Sequence, residues 1–306
     1  MNTPILLITF NRPDFTRQVL IELLKANPEV LYVFQDGPRA DRGDDVSRCA
    51  EVRSVIESLV PRHCNLHTFF SKENLGCGPG PATAINWFFS ENEMGIILED
   101  DCIPSKSLFN FYSALLQEYR YDDRIALITG TNARLKWKAY KCDYFFSKRE
   151  AMTMGCWASW RRAWSLFDFE IKSWGDEKTR DLFRRMIGKK RFPLYEKLLK
   201  EYYDKPPKDV WDYQWAYARI LNNKFSIVSS VNQMSNIGFC LDSTHTPEPS
   251  RRGNMQLLTN TFPLRPSNVS NDNLYEWVMF YRFSYGKKKS LFLKGCLKIT
   301  ECFFCR

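Results

Sequence analysis

The sequence predicts an α/β domain, built on a mixed, mostly parallel sheet flanked by helices. Over the first hundred residues, short apolar runs alternate with stretches of helical spacing, the pattern of strands joined by crossover helices. Three of the runs stop abruptly in polar turns, Asn11-Arg12-Pro13-Asp14, Gln35-Asp36-Gly37-Pro38-Arg39 and Glu99-Asp100-Asp101. A chain of 306 residues with 44% hydrophobic and 15% aromatic content also has enough apolar material for a sizeable core, which excludes large-scale disorder.

The elements follow in order. Pro4 to Phe10 reads as the first strand, and Phe15 to Leu24 as a helix after the Pro13 turn. Val30 to Phe34 is a second strand, Cys49 to Leu59 a helix, and Asn65 to Phe70 a third strand. The Gly/Pro loop Asn74-Leu75-Gly76-Cys77-Gly78-Pro79-Gly80-Pro81 leads into a helix over Ala82 to Phe89. The fourth strand ends in Glu99-Asp100-Asp101. Beyond residue 104 the alternation weakens: Leu108 to Tyr119 reads as a helix, Ile125 to Thr129 as a strand, and Tyr144 to Phe146 as an edge strand. Trp160 and Trp164 follow Trp157 at helical spacing. Thr179 to Tyr203 reads as a charged helical pair, Trp211 to Leu221 as a helix, and Phe225 to Val231 as a last strand. Residues 242–273 are a polar, Pro/Ser/Asn-rich loop able to order over a ligand, and 247–280 as a whole is expected to be flexible.

The net charge is +9, but residues 281–306 hold seven basic residues against one acidic, so most of the excess lies in one tail. Apolar residues interleave with this charge. The segment suits either an interfacial, membrane-surface role or a helix packed on the domain with a solvated basic face. Its apolar runs are too short to span a bilayer, and charge gathered at one end with no recognition motif excludes nucleic-acid binding. Ten cysteines contain a single CxxC, Cys302–Cys305, where a zinc ribbon needs two. The N-terminus reads as a core strand rather than a signal peptide, giving the expectation of reduced thiols in the cytoplasm.

The chemistry concentrates at Glu99-Asp100-Asp101. A buried strand cannot hold three unpaired carboxylates, so the triplet belongs at a strand end facing a cleft. Oxygen ligands there suit a hard dication, Mn2+ or Mg2+, which also takes oxygens from a substrate diphosphate. Ligands of parallel sheets sit outside the carboxyl ends of the strands, where Arg12, Asp36 and Asp101 all fall. A Walker A sequence is absent, which excludes a P-loop NTPase.

Thr9-Phe10-Asn11-Arg12, Gln35-Asp36, Glu99-Asp100-Asp101-Cys102-Ile103-Pro104-Ser105 with Phe109 after it, Gly155-Cys156-Trp157 and Trp211-Asp212-Tyr213-Gln214-Trp215 occur in that order. Together they resemble the N-acetylglucosaminyltransferase I family and its bacterial relatives, inverting, metal-dependent glycosyltransferases of the Rossmann-like GT-A fold, over residues 4–246. The resemblance implies a catalytic domain over 1–246, with a nucleotide-binding half to 104 and a sugar and acceptor half from 105. It implies that Asp101 ligates the metal bridging a UDP diphosphate, that Glu99 and Asp100 contact ribose or metal-bound water, that Asp36 contacts uracil, and that Arg12, beside Asn11, contacts the nucleotide. Gly155 and Trp157 match the donor-sugar pocket; Asn236, Gly238 and His245 match the region covering the donor, with His245 a candidate to bind phosphate or complete the metal shell.

Asn74, Gly76 and Gly78 lie on a loop that either approaches the nucleotide or is ordinary turn chemistry, and Asp36 is equally a turn residue. Asp212 is the candidate catalytic base, flanked by Trp211 and Trp215 for stacking on a sugar, with Asp209 the alternative. The family's second acidic residue in that motif is replaced here by Tyr213-Gln214. The implied activity is transfer of a sugar, such as N-acetylglucosamine, from a UDP-sugar to a hydroxyl of a glycan or lipid-linked acceptor in surface polysaccharide or lipopolysaccharide synthesis, at the inner face of the membrane. A sugar-phosphate nucleotidyltransferase and a non-catalytic carbohydrate- or membrane-binding protein are the alternatives.

Overall fold

The computed structural model describes residues 1–137, 141–153, 155–206, 209–238, 253–267 and 271–284. His245 and most of the basic tail lie outside the described residues. The first half of the chain runs β1 (Ile5–Thr9), α1 (Pro13–Leu24), β2 (Val30–Gln35), α2 (Asp45–Leu59), β3 (Asn65–Phe70), α3 (Pro79–Glu91) and β4 (Met94–Glu99). The second half runs β5 (Cys102–Pro104), α4 (Leu108–Glu118), β6 (Ile125–Thr129), β7 (Tyr144–Ser147), β8 (Cys156–Trp160), α5 (Arg161–Trp164), α6 (Glu177–Ile187), α7 (Phe192–Asp204), α8 (Asp212–Leu221), β9 (Phe225–Ser229), β10 (Met234–Asn236) and α9 (Asn273–Ser284).

Eight strands form one sheet in the order β3-β2-β1-β4-β8-β6-β9-β7. The pairs β1/β2, β1/β4, β2/β3 and β6/β9 are parallel. β8 runs against both of its neighbours, β4 and β6, and β7 runs against β9. The mixed, mostly parallel expectation therefore holds, with the parallel part concentrated in the N-terminal half. Along β1, Ile5 and Leu7 pack into a cluster with Val19, Leu23, Val52 and Ile56 from α1 and α2, while Leu6 and Ile8 pack against Ile85 and Phe88 of α3. A strand buried on both faces has no polar side, which is why it reads as an unbroken apolar run.

Proline at the first turns of α1 and α3 suits helix starts, because that position lacks an intrahelical N–H partner anyway. In α6 the Asp176 carboxylate accepts from Thr179 N at 2.8 Å, and the helix stops at Gly188, φ 90°.

Two sequence readings are corrected. Trp157 and Trp160 belong to β8, not to a helix, and only Arg161–Trp164 is helical; the strand prevails because both its neighbours are strands that need pairing. The region 247–280 is not loop throughout, since α9 starts at Asn273 and runs past 281. Its Tyr275, Val278 and Met279 are buried against Trp137, Phe145 and Val228, and that apolar packing drives helix formation. The short ladder of β5 with β10, a separate two-stranded sheet, was unforeseen; it pairs Cys102 with Asn236.

Candidate active site

The site lies at the carboxyl ends of β1 and β4. Because β8 is antiparallel to β4, its beginning lies at the same edge: Glu99 N donates to Gly155 O at 2.7 Å. Gly155 has φ +69°, and a Cβ there would stand 1.8 Å from Cys102 Sγ, so the close approach requires glycine. Asp100 turns inward and is 2% exposed. It accepts from Phe10 N at 3.4 Å, from the Thr16 hydroxyl at 3.5 Å and from Arg12 Nη2. Asp101 Oδ2 accepts from Arg12 Nη1 at 3.1 Å, and its Oδ1 accepts from Asn236 Nδ2 at 3.0 Å and from the Cys102 thiol at 3.1 Å. Ile237 N donates to Asp101 O at 2.8 Å and Gly238 N to Asn236 Oδ1 at 2.8 Å, so the segment after β10 holds Asp101 from the far side.

Asp212, first residue of α8, comes within electrostatic reach of Glu99 from a distant part of the chain. Burial, then the charge of Asp101 and, more weakly, those of Asp100 and Asp212, pushes the Glu99 carboxyl up to about 8, against the pull of Arg12. Burial also raises Asp100, partly offset by Arg12. For Arg12, burial is outweighed by Asp100 and Asp101, which hold the guanidinium charged. The Cys102 thiol is pushed well up by burial and by Asp101 and Glu99.

Carboxylate oxygens of Glu99 and Asp101 and the Cys102 sulfur all lie within 4.8 Å of one another. The two carboxylates fit a hard dication such as Mn2+ or Mg2+, whereas a thiol kept protonated is not a ligand for one. The charges point the same way: among the described residues Arg12 pairs with Asp100 and Asp101, while Glu99 feels both of those carboxylates and, more weakly, Asp212. Cys102 is the member of this group that the sequence reading passed over. Its position directly after the acidic triplet was the available signal.

The other expected residues are placed as follows. Asp36 is buried, and its oxygens accept from Gly37 N at 2.9 Å, Leu75 N at 2.8 Å, Gly76 N at 3.0 Å and Asn74 Nδ2 at 3.2 Å. This carboxylate ties the end of β2 to the Gly/Pro loop, and Gly76 supplies the positive φ, 88°, that the loop needs. Gly78 is the residue before α3. Asn11 donates to Asp45 Oδ1 at 2.6 Å, and Asp45 pairs with Arg39 at 2.7 Å; that pairing holds the Asp45 carboxyl at about 2.

Trp157, Trp211 and Trp215 are 0%, 6% and 0% exposed. Trp157 and Trp211 stack on each other with centroids 5.7 Å apart, and Trp164 lies 5.1 Å from Trp215. The sugar-stacking faces expected of Trp211 and Trp215 are thus taken by other indoles, because large apolar rings gain more from the core than from a rim. Asp209 is exposed.

No family model matches the sequence, and no curated protein matches it. Among solved structures, the apo form of a UDP-glucose pyrophosphorylase is 11% identical, with a TM-score of 0.40, over 77% of this chain and 93% of its own. The inositol-1-phosphate CTP transferase from T. maritima is 11% identical, TM-score 0.40, over 79% and 90%. Mouse xyloside xylosyltransferase 1 is 12% identical, TM-score 0.33, over 72% and 81%. Overlaps this loose leave the chemistry to the residues themselves.

Proposed function

We propose that the chain is a glycosyltransferase that moves a sugar, with inversion, from a UDP-sugar to a hydroxyl of a glycan or lipid-linked acceptor. The observation that carries this reading is the pair of carboxylates Glu99 and Asp101, with ligand atoms within 4.8 Å of one another at the carboxyl edge of β1 and β4, and Asp212 of a distant helix within electrostatic reach of Glu99. Glu99 and Asp101 would hold Mn2+ or Mg2+, which when bound neutralises charge on the departing diphosphate. Asp212 would accept the proton of the acceptor hydroxyl as its oxygen bonds to the anomeric carbon and the bond from that carbon to the diphosphate breaks, releasing UDP. The turn after β1, Phe10-Asn11-Arg12-Pro13, is not the Gly-rich basic loop a nucleotidyltransferase places there. A lipid-linked acceptor fits the basic, apolar-interleaved sequence of residues 281–306. Among the described residues no helix is long and apolar enough to cross a membrane.

The test is release of UDP from a panel of UDP-sugars with Mn2+ and glycan acceptors. Asp212→Asn is expected to bind UDP as the parent does and to lose about a thousandfold or more in turnover. Retention of near-full rate by that variant removes Asp212 as the base. Release of pyrophosphate from a nucleoside triphosphate and a sugar phosphate, with no UDP formed from UDP-sugars, replaces this reading with nucleotidyl transfer.

A further inference from the structure

The two oxygens of Asp101 are not equivalent. Oδ1 is committed to Asn236 at 3.0 Å and to the Cys102 thiol at 3.1 Å. Oδ2 faces Gly238, where a Cβ would come within 2.1 Å of it, so the missing side chain keeps this oxygen accessible. The donor on Oδ2 is Arg12 Nη1, at 3.1 Å. The oxygen best placed for a cation is therefore already covered by the protein's own cation.

Arg12 is built to hold that position and to leave it. Its backbone is fixed just before α1, with Pro13 next in sequence and Thr16 N donating to its carbonyl at 2.9 Å. The side chain lies over the Phe15 ring, 5.4 Å from guanidinium carbon to centroid, and is 32% exposed, against 3% for Asp100. Its two arms have different partners: Nη2 on buried Asp100, Nη1 on Asp101. A planar fork can release one arm while keeping the other, which a lysine cannot do.

We propose that Arg12 is a built-in competitor for the dication, covering Asp101 Oδ2 in the nucleotide-free protein and releasing it when metal and nucleotide diphosphate arrive together. This rests on the divalent-metal reading of the acidic site. Freed from Oδ2, Nη1 donates to a diphosphate oxygen while Nη2 stays on Asp100. A single cationic fork thereby makes metal binding weak without nucleotide, and each ligand then raises the affinity of the other by the same factor. Such a site avoids holding metal when no donor is present.

The experiment is titration of full-length protein with Mn2+ at fixed ionic strength, following free Mn2+ by its paramagnetic resonance signal, with and without UDP. Arg12→Gln, which removes the charge but keeps an amide donor for Asp100, is expected to bind Mn2+ at least about tenfold tighter than the parent without UDP. Its enhancement of Mn2+ affinity by UDP should shrink correspondingly. Arg12→Lys, unable to bridge both carboxylates, should fall between the two and decides the matter if the glutamine variant does not give a native melting curve. Equal or weaker Mn2+ binding in the variants, with binding by the parent that Asp101→Asn abolishes, overturns the competition and leaves the metal site standing. Absence of Mn2+ binding in the parent and in all variants, with UDP present, overturns both.

Discussion

The molecule holds two buried charge clusters of opposite design. At the edge of β4, Asp100 and Asp101 pair with Arg12, and Glu99 lies within electrostatic reach of both and of Asp212. Under α9, Glu276 and Glu150 meet Arg149 and Arg191, two of each sign. There Glu276, 2% exposed, accepts from Arg149 Nη1 at 2.7 Å, from Lys148 N at 2.8 Å and from Arg149 N at 2.9 Å, while Arg191 pairs with Glu150 at 3.2 Å. The second cluster is complete in itself and fastens the helix to the sheet. In the first, among the described residues, Arg12 is the cation paired with Asp100 and Asp101, and Glu99 is raised by burial and by its acidic neighbours. Imbalance of charge, rather than burial or acidity, separates a site from a strut.

Substitutions test that distinction. Asp101→Asn should reduce Mn2+-dependent UDP release by about a thousandfold or more while moving the urea midpoint little, because it removes the charge and keeps an amide oxygen to accept from a neighbouring donor. If it unfolds the protein instead, the acidic edge is a strut as well. Glu276→Ala should do the reverse and destabilise by about 3 kcal/mol in urea titration, leaving Arg149 N and the Arg149 guanidinium without that carboxylate, while Lys148 N keeps Asn271 Oδ1 at 3.0 Å. A stable variant would show that α9 is held by its apolar face alone.

The smallest effect concerns pH. Burial, against the pull of Arg191, pushes the Glu150 carboxyl up to about 7 from an ordinary 4.5. Between those values the unfolded chain has lost the proton that the folded one keeps, so this group's contribution is full below about 4.5 and lost as pH rises through about 7. Glu150→Gln should therefore lack a fall of roughly 2 kcal/mol that the parent shows between pH 4.5 and 7.5. Parallel pH profiles would mean that the arginines outweigh burial and the cluster is fully ionised throughout.

Much of the parallel half was legible because strands covered on both faces leave continuous apolar runs, as β1, β2 and β4 do. The β5/β10 ladder was not, since each strand has three residues and its partner lies about 130 positions away. Trp157, Trp160 and Trp164 suggested a helix because spacings of three and four carry over from the end of a strand into a short helix. In α9, Glu276 amid apolar residues gave no sign of its role until Arg149 was seen opposite. The Glu99-Asp100-Asp101 edge was readable from chemistry alone. Asp36 was not, because a carboxylate in a turn looks the same in sequence whether it receives backbone N–H groups or a ligand, and Trp211 posed the same ambiguity between ring stacking and core.

The clamp on Asp101 has a consequence for biosynthesis. Asn236, which steadies that carboxylate, follows it by 135 positions. During translation the contacts from Arg12 and Cys102 are available as soon as the acidic edge is made, whereas the one from Asn236 must wait for a much later segment. The proposed dication site therefore takes its final geometry only after that late segment has been made.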